Sequence, residues 1–150
     1  MHNDVCEIKN LIYEYAHCLD DGDLEAVAEL FAHGSIVGVA SDGSESVSAG
    51  KAAVREMYQR FTRLYTDDGT PHTLHHTSNI VVRVGEDREH ATAKSYAVVF
   101  QSLEDFPMQP IIGVRYTDTF HKIDNCWFFD QRRIDSRLFG DLSRHLLQPM

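Results

Sequence analysis

One aspartate of this chain lies where a helix should bury an apolar side chain. Residues 15–23 read YAHCLDDGD, and Ile8, Ile12 and Ala16 recur at four-residue spacing on one face of a predicted helix. Asp20 continues that row at the next i+4 step, so its carboxylate should be directed toward the core. The alternative is that Asp20 only caps the following turn or is solvated at a frayed helix end.

A histidine would be a suitable partner for this carboxylate. A neutral imidazole is well matched to accept a proton near pH 7, and a buried carboxylate on its other nitrogen fixes the tautomer and favours the imidazolium that forms. The helix dipole disfavours an anion at the C-terminal end of a helix by roughly 0.3–1 kcal/mol, which a cationic partner would offset. The pattern at Asp20 therefore permits a general-base pair.

His72, His75 and His76 lie close together in the sequence. They could suggest a metal site, but no further carboxylate or cysteine set at ligand spacing accompanies them, so we predict no metal. On a strand, neighbouring side chains point to opposite faces, so only one of His75 and His76 can enter a pocket. We expect His76 to be exposed. The alternative for His75 is a hydrogen-bonded core histidine at a strand start.

Composition excludes several classes of protein. A chain of 150 residues with 43% hydrophobic residues can bury the core of one domain, which we assign to residues 1–150. A formal charge of −9, without a basic cluster interleaved with aromatics, argues against nucleic-acid binding. No apolar run approaches the ~20 residues that cross a bilayer, and the N-terminus lacks the apolar segment of a signal peptide. We therefore expect a cytoplasmic protein without a membrane partner.

Helices should dominate the first half of the chain. Asp4 can cap a helix running to about Leu19, Asp23 can cap a short second helix, and Asp21 with Gly22 makes the corner between them. Residues 35–40 read as a strand and residues 41–46 as a turn and loop. After Gly50 a third helix should bury the apolar residues Val54, Met57, Tyr58, Phe61, Leu64 and Tyr65.

Extended segments should dominate the second half. Residues 76–84, 91–103, 111–123 and 126–134 are rich in β-branched and aromatic residues, and a tight turn at residues 124–125 joins the last two. Helices followed by a meander of long strands predict an α+β fold, with the helices packed against one face of a curved, mostly antiparallel sheet. The three cysteines are odd in number and unrelated in spacing, which argues against a disulfide framework. We expect them to be reduced and to serve in packing.

The order of motifs along the chain resembles the SnoaL-like branch of the nuclear transport factor 2-like superfamily. The resemblance spans nearly the whole chain; its individual motifs are loose, but their order and spacing are fairly specific. It implies a cone of three N-terminal helices wrapped by a strongly bent sheet, a cone-shaped α+β barrel with a deep pocket. It rests on Tyr15-Ala16, Asp20 through Asp23, Leu30-Phe31, His75 with Asn79, Gly113, Tyr116, Asp118, Phe120, Trp127 and Arg132.

The resemblance also implies roles for individual residues. Lyases of the scytalone dehydratase and hexachlorocyclohexane dehydrochlorinase type pair an acid at the end of the first helix with a strand histidine, and these positions fall on Asp20 and His75. The dehydrochlorinase type adds an arginine on the last strand that stabilises negative charge, which falls on Arg132. None of these lyases uses a metal or organic cofactor, so the resemblance implies none here.

Which of two arginines enters the pocket stays open at this stage. Strict alternation puts Phe128, Asp130, Arg132 and Ile134 on one face of the last strand and Trp127, Phe129, Gln131 and Arg133 on the other. Arg132 could instead simply pair with a nearby acid such as Asp118. We further predict substrate contacts from Tyr15, Phe31 and Tyr116, although aromatic residues at such positions more often belong to the core.

Departures from these lyases limit what the resemblance implies. The two tyrosines that hold a water at the substrate carbonyl in scytalone dehydratase are replaced here by Leu19 and Val39, and its second pocket histidine falls near Gln101. The dehydrochlorinase has a lysine where this chain has Tyr15. The specific activity of neither enzyme should therefore be transferred.

The sequence as a whole predicts a cofactor-independent lyase or isomerase acting on a small, apolar or aromatic ring compound. The alternative is a non-catalytic binding or structural subunit, like the dioxygenase beta subunits of the same fold. Large side chains on both faces of the strands predict a homo-oligomer, a trimer or alternatively a dimer. Leu142, Leu146 and Leu147, at helical spacing in residues 140–150, should close the pocket mouth or reach a neighbouring subunit.

Overall fold

Three helices pack against a six-stranded sheet in a computed structural model that describes residues 3–149. The predicted α+β class is confirmed. The helices are α1 (Asp4–Asp20), α2 (Leu24–Glu29) and α3 (Gly50–Phe61). The strands are β1 (Ser35–Val39), β2 (Glu45–Ala49), β3 (Thr73–Val84), β4 (His90–Leu103), β5 (Phe106–Ile123) and β6 (Cys126–Phe139).

The sheet is mostly antiparallel, as predicted. Its strand order is β2-β1-β6-β5-β4-β3, and only β1 and β6 run parallel among the neighbouring pairs of residues 3–149. Strands β2 and β3 form its two edges. The sheet therefore curls around the helices without closing, and the predicted barrel is open between these edges.

Irregular pairing produces this curl. Register shifts interrupt the pairs β3–β4, β4–β5 and β5–β6. Asn79, which lies in the β3 shift, adopts a positive φ of 55°. Such bulges bend a strand and increase its local twist, so long strands can wrap a core. The tight turn predicted at residues 124–125 is confirmed, with positive φ at Asp124 and Asn125.

Helix α1 begins one residue earlier than its predicted cap. The side chain of Asn3 accepts the N–H of Cys6 at 3.3 Å and caps the helix, so the prediction of Asp4 as the cap is wrong. Asp4 instead lies in the first turn, buried, and accepts hydrogen bonds from Trp127 Nε1 and Lys122 Nζ, each at 3.0 Å. The carboxylate therefore ties the start of α1 to the β5–β6 hairpin.

Other element boundaries also differ from the prediction. Asp23 caps α2 as predicted, accepting the N–H of Ala26 at 3.0 Å. Residues 45–46, predicted as loop, belong to β2. Residues 106–110, which lay between two predicted strands, belong to β5. Helix α3 ends at Phe61, so the predicted burial of Leu64 is wrong, and that side chain is exposed.

The C-terminal segment (residues 140–149) packs beside the end of α3 without forming a helix. The N–H of Leu147 donates to the carbonyl of Phe61 at 2.9 Å, and Leu146 pairs with Thr62 in an isolated bridge. This segment therefore folds back onto its own domain, while Met150 lies outside the described residues. Within residues 3–149, no helix has the length and apolar character needed to cross a membrane.

Candidate active site

A cavity of about 380 Å³ lies between the helices and the inner face of the curled sheet. Most of its wall is apolar, with contributions from Leu19, Ile36, Met57, Val99, Ile134 and Leu146. Ser44, Glu45 and Ser46 line it and are exposed, so the cavity opens to solvent beside the β1–β2 hairpin. Its size and apolar wall are typical of a small-molecule site.

Asp20 and His75, which the sequence predicted as a pair, are in contact at the edge of this cavity. The ring Nδ1 of His75 lies 2.6 Å from Oδ1 of Asp20, and the backbone N–H of His75 donates to Oδ2 at 2.8 Å. The hydroxyl of Thr73 donates to Oδ1 at 2.8 Å. Burial raises the pKa of Asp20, but these hydrogen bonds outweigh it, so the net pKa is lowered.

The ionised carboxylate fixes the tautomer of His75. Because a carboxylate only accepts, the Nδ1 of His75 carries the proton that it shares with Asp20, and the neutral ring has its lone pair on Nε2. The ring lines the cavity, and Asp20 does not. The side chain of His75 is 8% exposed. The arrangement is that of a base that faces the cavity with its orienting acid behind it.

A backbone contact holds the two halves of this pair together. Gly22, in the turn after α1, has a φ of +73°, and a Cβ placed on it would lie 2.2 Å from the carbonyl oxygen of Gly69. Gly69 precedes the strand that carries Thr73 and His75. The close approach of two glycine backbones therefore sets the distance between the end of α1 and the start of β3.

Three phenols form a buried cluster on another wall of the cavity. Tyr15, Tyr58 and Tyr116 all line it, and the hydroxyls of Tyr15 and Tyr58 are hydrogen-bonded to each other. Burial is the largest cause of a raised pKa at each of the three. They therefore stay protonated at neutral pH and can donate hydrogen bonds to a ligand oxygen.

Arg132 lies beneath these rings and outside the cavity wall. Its side chain is fully buried and forms two hydrogen bonds to Asp118, each 2.9 Å. The guanidinium carbon lies 4.3 Å from the ring centroid of Tyr15 and 3.8 Å from that of Tyr116. Burial lowers the pKa of Arg132, but Asp118 outweighs this and raises it, so the guanidinium stays charged. Arg132 therefore supports the phenols from behind and does not itself line the cavity.

Of the two arginines, only Arg132 lies on the inner face of the sheet, and neither lines the cavity. Arg133 points to the other face, where it pairs with Glu45 at 2.6 Å and is 40% exposed. The predicted alternation along β6 is wrong, because Thr119 pairs with Gln131 while Phe120 pairs with Phe129, which leaves Asp130 in a bulge. This extra residue puts Trp127, Phe129, Arg132 and Ile134 on the inner face.

Comparison of the chain with models of known protein families identifies a family with this fold. The model of the SnoaL-like domain matches residues 2–133 of the chain. The chain belongs to the SnoaL-like domain family. The resemblance inferred from the order of motifs is therefore confirmed. A comparison with curated proteins finds no match.

Solved structures similar to this SnoaL-like domain share its architecture at low sequence identity. A nuclear transport factor 2-like protein with a cystatin-like fold from Novosphingobium aromaticivorans is 23% identical, with a TM-score of 0.72 over 94% of this chain and 86% of that one. A protein of the same organism, proposed to be a scytalone dehydratase, is 22% identical, with a TM-score of 0.69 over 92% and 87% of the two chains.

A third similar structure is the beta subunit of a protein proposed to be an aromatic-ring-hydroxylating dioxygenase, also from Novosphingobium aromaticivorans. It is 18% identical, with a TM-score of 0.69 over 90% of each chain. At these identities the likeness shows the fold of the SnoaL-like domain and not its chemistry.

Phe31, like Arg132, is a predicted site residue that does not line the cavity. It is fully buried and stacks on Phe129, with ring centroids 4.8 Å apart and an interplanar angle of 23°. The cavity wall at this point is formed by Tyr15, whose ring meets Phe31 edge-on. Phe31 therefore supports the wall of the SnoaL-like domain from behind, and a direct substrate contact does not follow from its position.

His145 and Tyr58 are cavity residues whose role sequence reasoning missed. Tyr58 was predicted only as a buried residue of α3, and its helical spacing from Phe61 gave no sign of a polar partner. His145 lies in the irregular C-terminal segment, where no periodic pattern predicts which way a side chain points. The two leucines that follow it, in the run HLL at residues 145–147, were the available signal that it is not a solvated histidine.

The remaining histidines of the sequence cluster have other surroundings. His76 is exposed on the outer face of β3, as predicted. His72 lies 2.9 Å from Asp67 and, with Asp68, offers a group of ligand atoms within 4.8 Å of one another. Both aspartates are exposed, and hydrogen bonds within the turn account for this arrangement. The expectation that no carboxylates at ligand spacing accompany the histidines is therefore wrong for His72.

Proposed function

We propose that this protein is a cofactor-independent lyase or isomerase of the scytalone dehydratase-like type, acting on a small apolar or aromatic ring compound. The observation that carries the proposal is the orientation of His75. Its Nδ1 is held by Asp20 at 2.6 Å while the ring lines a cavity of about 380 Å³. A base sequestered in this way can take a proton from carbon without competition from bulk water.

The proposed reaction begins at a carbon next to a carbonyl group. Nε2 of His75 takes the proton, and the C–H electron pair moves into an enolate whose oxygen becomes negative. A leaving group on the next carbon then departs with its bonding electrons as the C=C bond forms. The proton on His75 passes to the leaving group or to solvent, which restores the neutral base. Asp20 stabilises the transient imidazolium.

The phenol cluster provides donors for the developing negative charge. Tyr15 and Tyr58 are protonated and lie in the cavity wall, so either hydroxyl can donate to an enolate oxygen. Loss of one such donor typically costs about 10²–10³ in turnover. Arg132, predicted from the resemblance as a catalytic residue, would act here by holding the rings of Tyr15 and Tyr116 and by its buried positive charge.

The charges around the cavity favour an uncharged substrate. No lysine or arginine is among the cavity-lining residues of the described chain 3–149, and Glu45 lies at the mouth. Inside the cavity a carboxylate or phosphate would find no lysine or arginine to pair with, because Arg133 near the mouth is already paired with Glu45. Burying such an anion unpaired is costly. Cyclic ketones and similar neutral molecules fit the lining better.

The proposal can be tested by following hydrogen exchange at carbon. A thermal-shift panel of small aromatic ketones, terpenoids and haloalkanes identifies the classes that bind. For ketones, NMR in D₂O then measures loss of the proton next to the carbonyl, with 1-tetralone as the first probe. We expect exchange above the buffer rate, reduced about 10²–10⁴-fold in His75→Gln and strongly reduced in Asp20→Asn.

His76→Gln is the matched control, because this neighbouring histidine is exposed on the opposite face. It should exchange at the wild-type rate. Unchanged turnover in both His75→Gln and Asp20→Asn would contradict the mechanism. Binding of ketones without exchange would instead favour the alternative, a non-catalytic binding subunit like the dioxygenase beta subunits.

A further inference from the structure

His145 is a second imidazole in the same cavity. It comes from the C-terminal segment and lines the cavity together with Leu142 and Leu146. Its Nδ1 is buried and has no hydrogen-bond partner among the described residues. Burial, and then the neighbouring His75, lower the pKa of His145 to about 4. The ring is therefore neutral at pH 7, with one N–H to donate and one lone pair to accept.

The backbone around His145 is fixed from several directions. The carbonyl of His145 accepts the N–H of Arg63 at 2.9 Å, and the carbonyl of Leu146 accepts from the guanidinium of Arg63 at 3.2 Å. The carbonyl of Arg144 accepts from the hydroxyl of Tyr65 at 2.5 Å. An irregular segment that makes this many hydrogen bonds to one loop presents its side chain in a defined position.

Gln101 links this segment to the strand that carries His75. Its amide nitrogen donates to the carbonyls of Pro71 and Arg144, each at 3.1 Å, and its side chain is buried. Because both neighbours are carbonyl oxygens, only the NH₂ end of the amide can face them. One side chain therefore sets the relative position of the chain just before β3 and the peptide just before His145.

We propose that His145 binds the leaving group of the reaction, a hydroxyl on the carbon next to the one that His75 deprotonates, with Gln101 as its positioning residue. This inference rests on the proposed function. A neutral imidazole suits a hydroxyl, since each can both donate and accept a hydrogen bond. As the C–O bond breaks with its electron pair on oxygen, His145 donates a hydrogen bond to that oxygen. The proton taken by His75 completes the departing water, and His145 remains neutral.

Two matched probes separate this role from that of His75. 1-Tetralone has an exchangeable proton next to its carbonyl but no leaving group, while 3-hydroxy-1-tetralone has both and yields 1-naphthol after loss of water. We expect His145→Phe to lower elimination from 3-hydroxy-1-tetralone about 100-fold more than it lowers deuterium exchange of 1-tetralone. His145→Gln, which retains a donor, should keep elimination within about tenfold of wild type.

A binding measurement gives an independent readout. In the His75→Gln background, which should not consume the hydroxylated probe, the protein should bind 3-hydroxy-1-tetralone about 3- to 10-fold more tightly than 1-tetralone. Addition of His145→Phe to this background should make the two affinities equal. His76→Phe, an exposed position, is the control and should behave as wild type in every assay. If His145→Phe fails to fold, His145→Gln and the preference of His75→Gln between the two probes still decide the matter.

Several outcomes would overturn the assignment of His145. Equal losses of exchange and elimination in His145→Phe would show that His145 has a purely structural role. No loss of either activity would show that His145 has no role in the reaction. Equal affinity of His75→Gln for the two probes would also contradict the assignment. Exchange of 1-tetralone without elimination from the hydroxylated probe would overturn this assignment alone, whereas absence of both reactions in wild type would contradict the proposed function.

Discussion

The buried ion pair of Arg132 and Asp118 allows a sharp prediction about stability. Both side chains are 0% exposed and joined by two hydrogen bonds of 2.9 Å. Breaking such a pair from one side leaves an unpaired charge in the core and costs about 3–5 kcal/mol. We expect Asp118→Leu and Arg132→Met each to lower the free energy of unfolding by this amount, and Arg132→Met also loses its contacts with the tyrosine rings.

The double variant Asp118→Leu/Arg132→Met should regain at least half of the loss, because it leaves no charge unpaired. Urea denaturation followed by circular dichroism, at one protein concentration, measures the four free energies of the cycle. For a chain of this size the single variants should melt about 6–20 °C below wild type. Arg133→Met is the matched control, since Arg133 is 40% exposed and its pair with Glu45 contributes about 1 kcal/mol or less.

If Asp118→Leu cost no more than Arg133→Met, the argument from burial would be refuted. A double variant as unstable as the sum of the two single variants would refute the pairing argument instead. The same proteins test the role of Arg132 in the proposed reaction. Full exchange activity in a folded Asp118→Leu/Arg132→Met variant would show that the guanidinium is structural.

Two further predictions concern pH and assembly. The hydrogen bond from Trp127, with the Lys122 ammonium, lowers the pKa of Asp4 from 3.8 to about 2. The ionised carboxylate therefore stabilises the fold above pH 3.8, and this stabilisation is lost as the pH falls through 2. The free energies of unfolding of wild type and Asp4→Asn should differ at neutral pH and converge near pH 2. Leu138 and Leu74 are 71% and 59% exposed on the sheet, so we predict a homo-oligomer, which the resemblance makes a trimer. Leu138→Lys should dissociate it. A wild-type monomer in sedimentation equilibrium at tens of micromolar would contradict this prediction.

The elements and the acid–base pair were the predictable part of this molecule. Apolar spacing predicted α1 and the direction of Asp20, and β-branched segments predicted the long strands, since these patterns depend on local geometry alone. The pairing of Asp20 with His75 came from the resemblance and not from the residues. The structure brings the two together at 2.6 Å, while their catalytic role stays a prediction.

The parts that could not be predicted depend on tertiary contacts. The bulge at Asp130 reverses the alternation along β6, and nothing in the local sequence distinguishes it from regular strand. Asn3 caps α1 in place of Asp4, because the carboxylate of Asp4 accepts a buried hydrogen bond from Trp127, which is distant in sequence. Backbone hydrogen bonds of an irregular segment hold His145 at the cavity. Such a segment has no periodic pattern of apolar residues from which the direction of a side chain could be predicted.

The contact between Gly22 and Gly69 has a consequence for mutational maps of the site. Alanine substitution normally subtracts atoms, so positions without a side chain are the ones such scans pass over. At Gly22 it would add a methyl group 2.2 Å from a carbonyl oxygen, on a backbone with a φ of +73°. The added atom would force apart the two chain segments that carry the acid and the base. The proposed activity can thus be most sensitive at a residue that has no functional group at all.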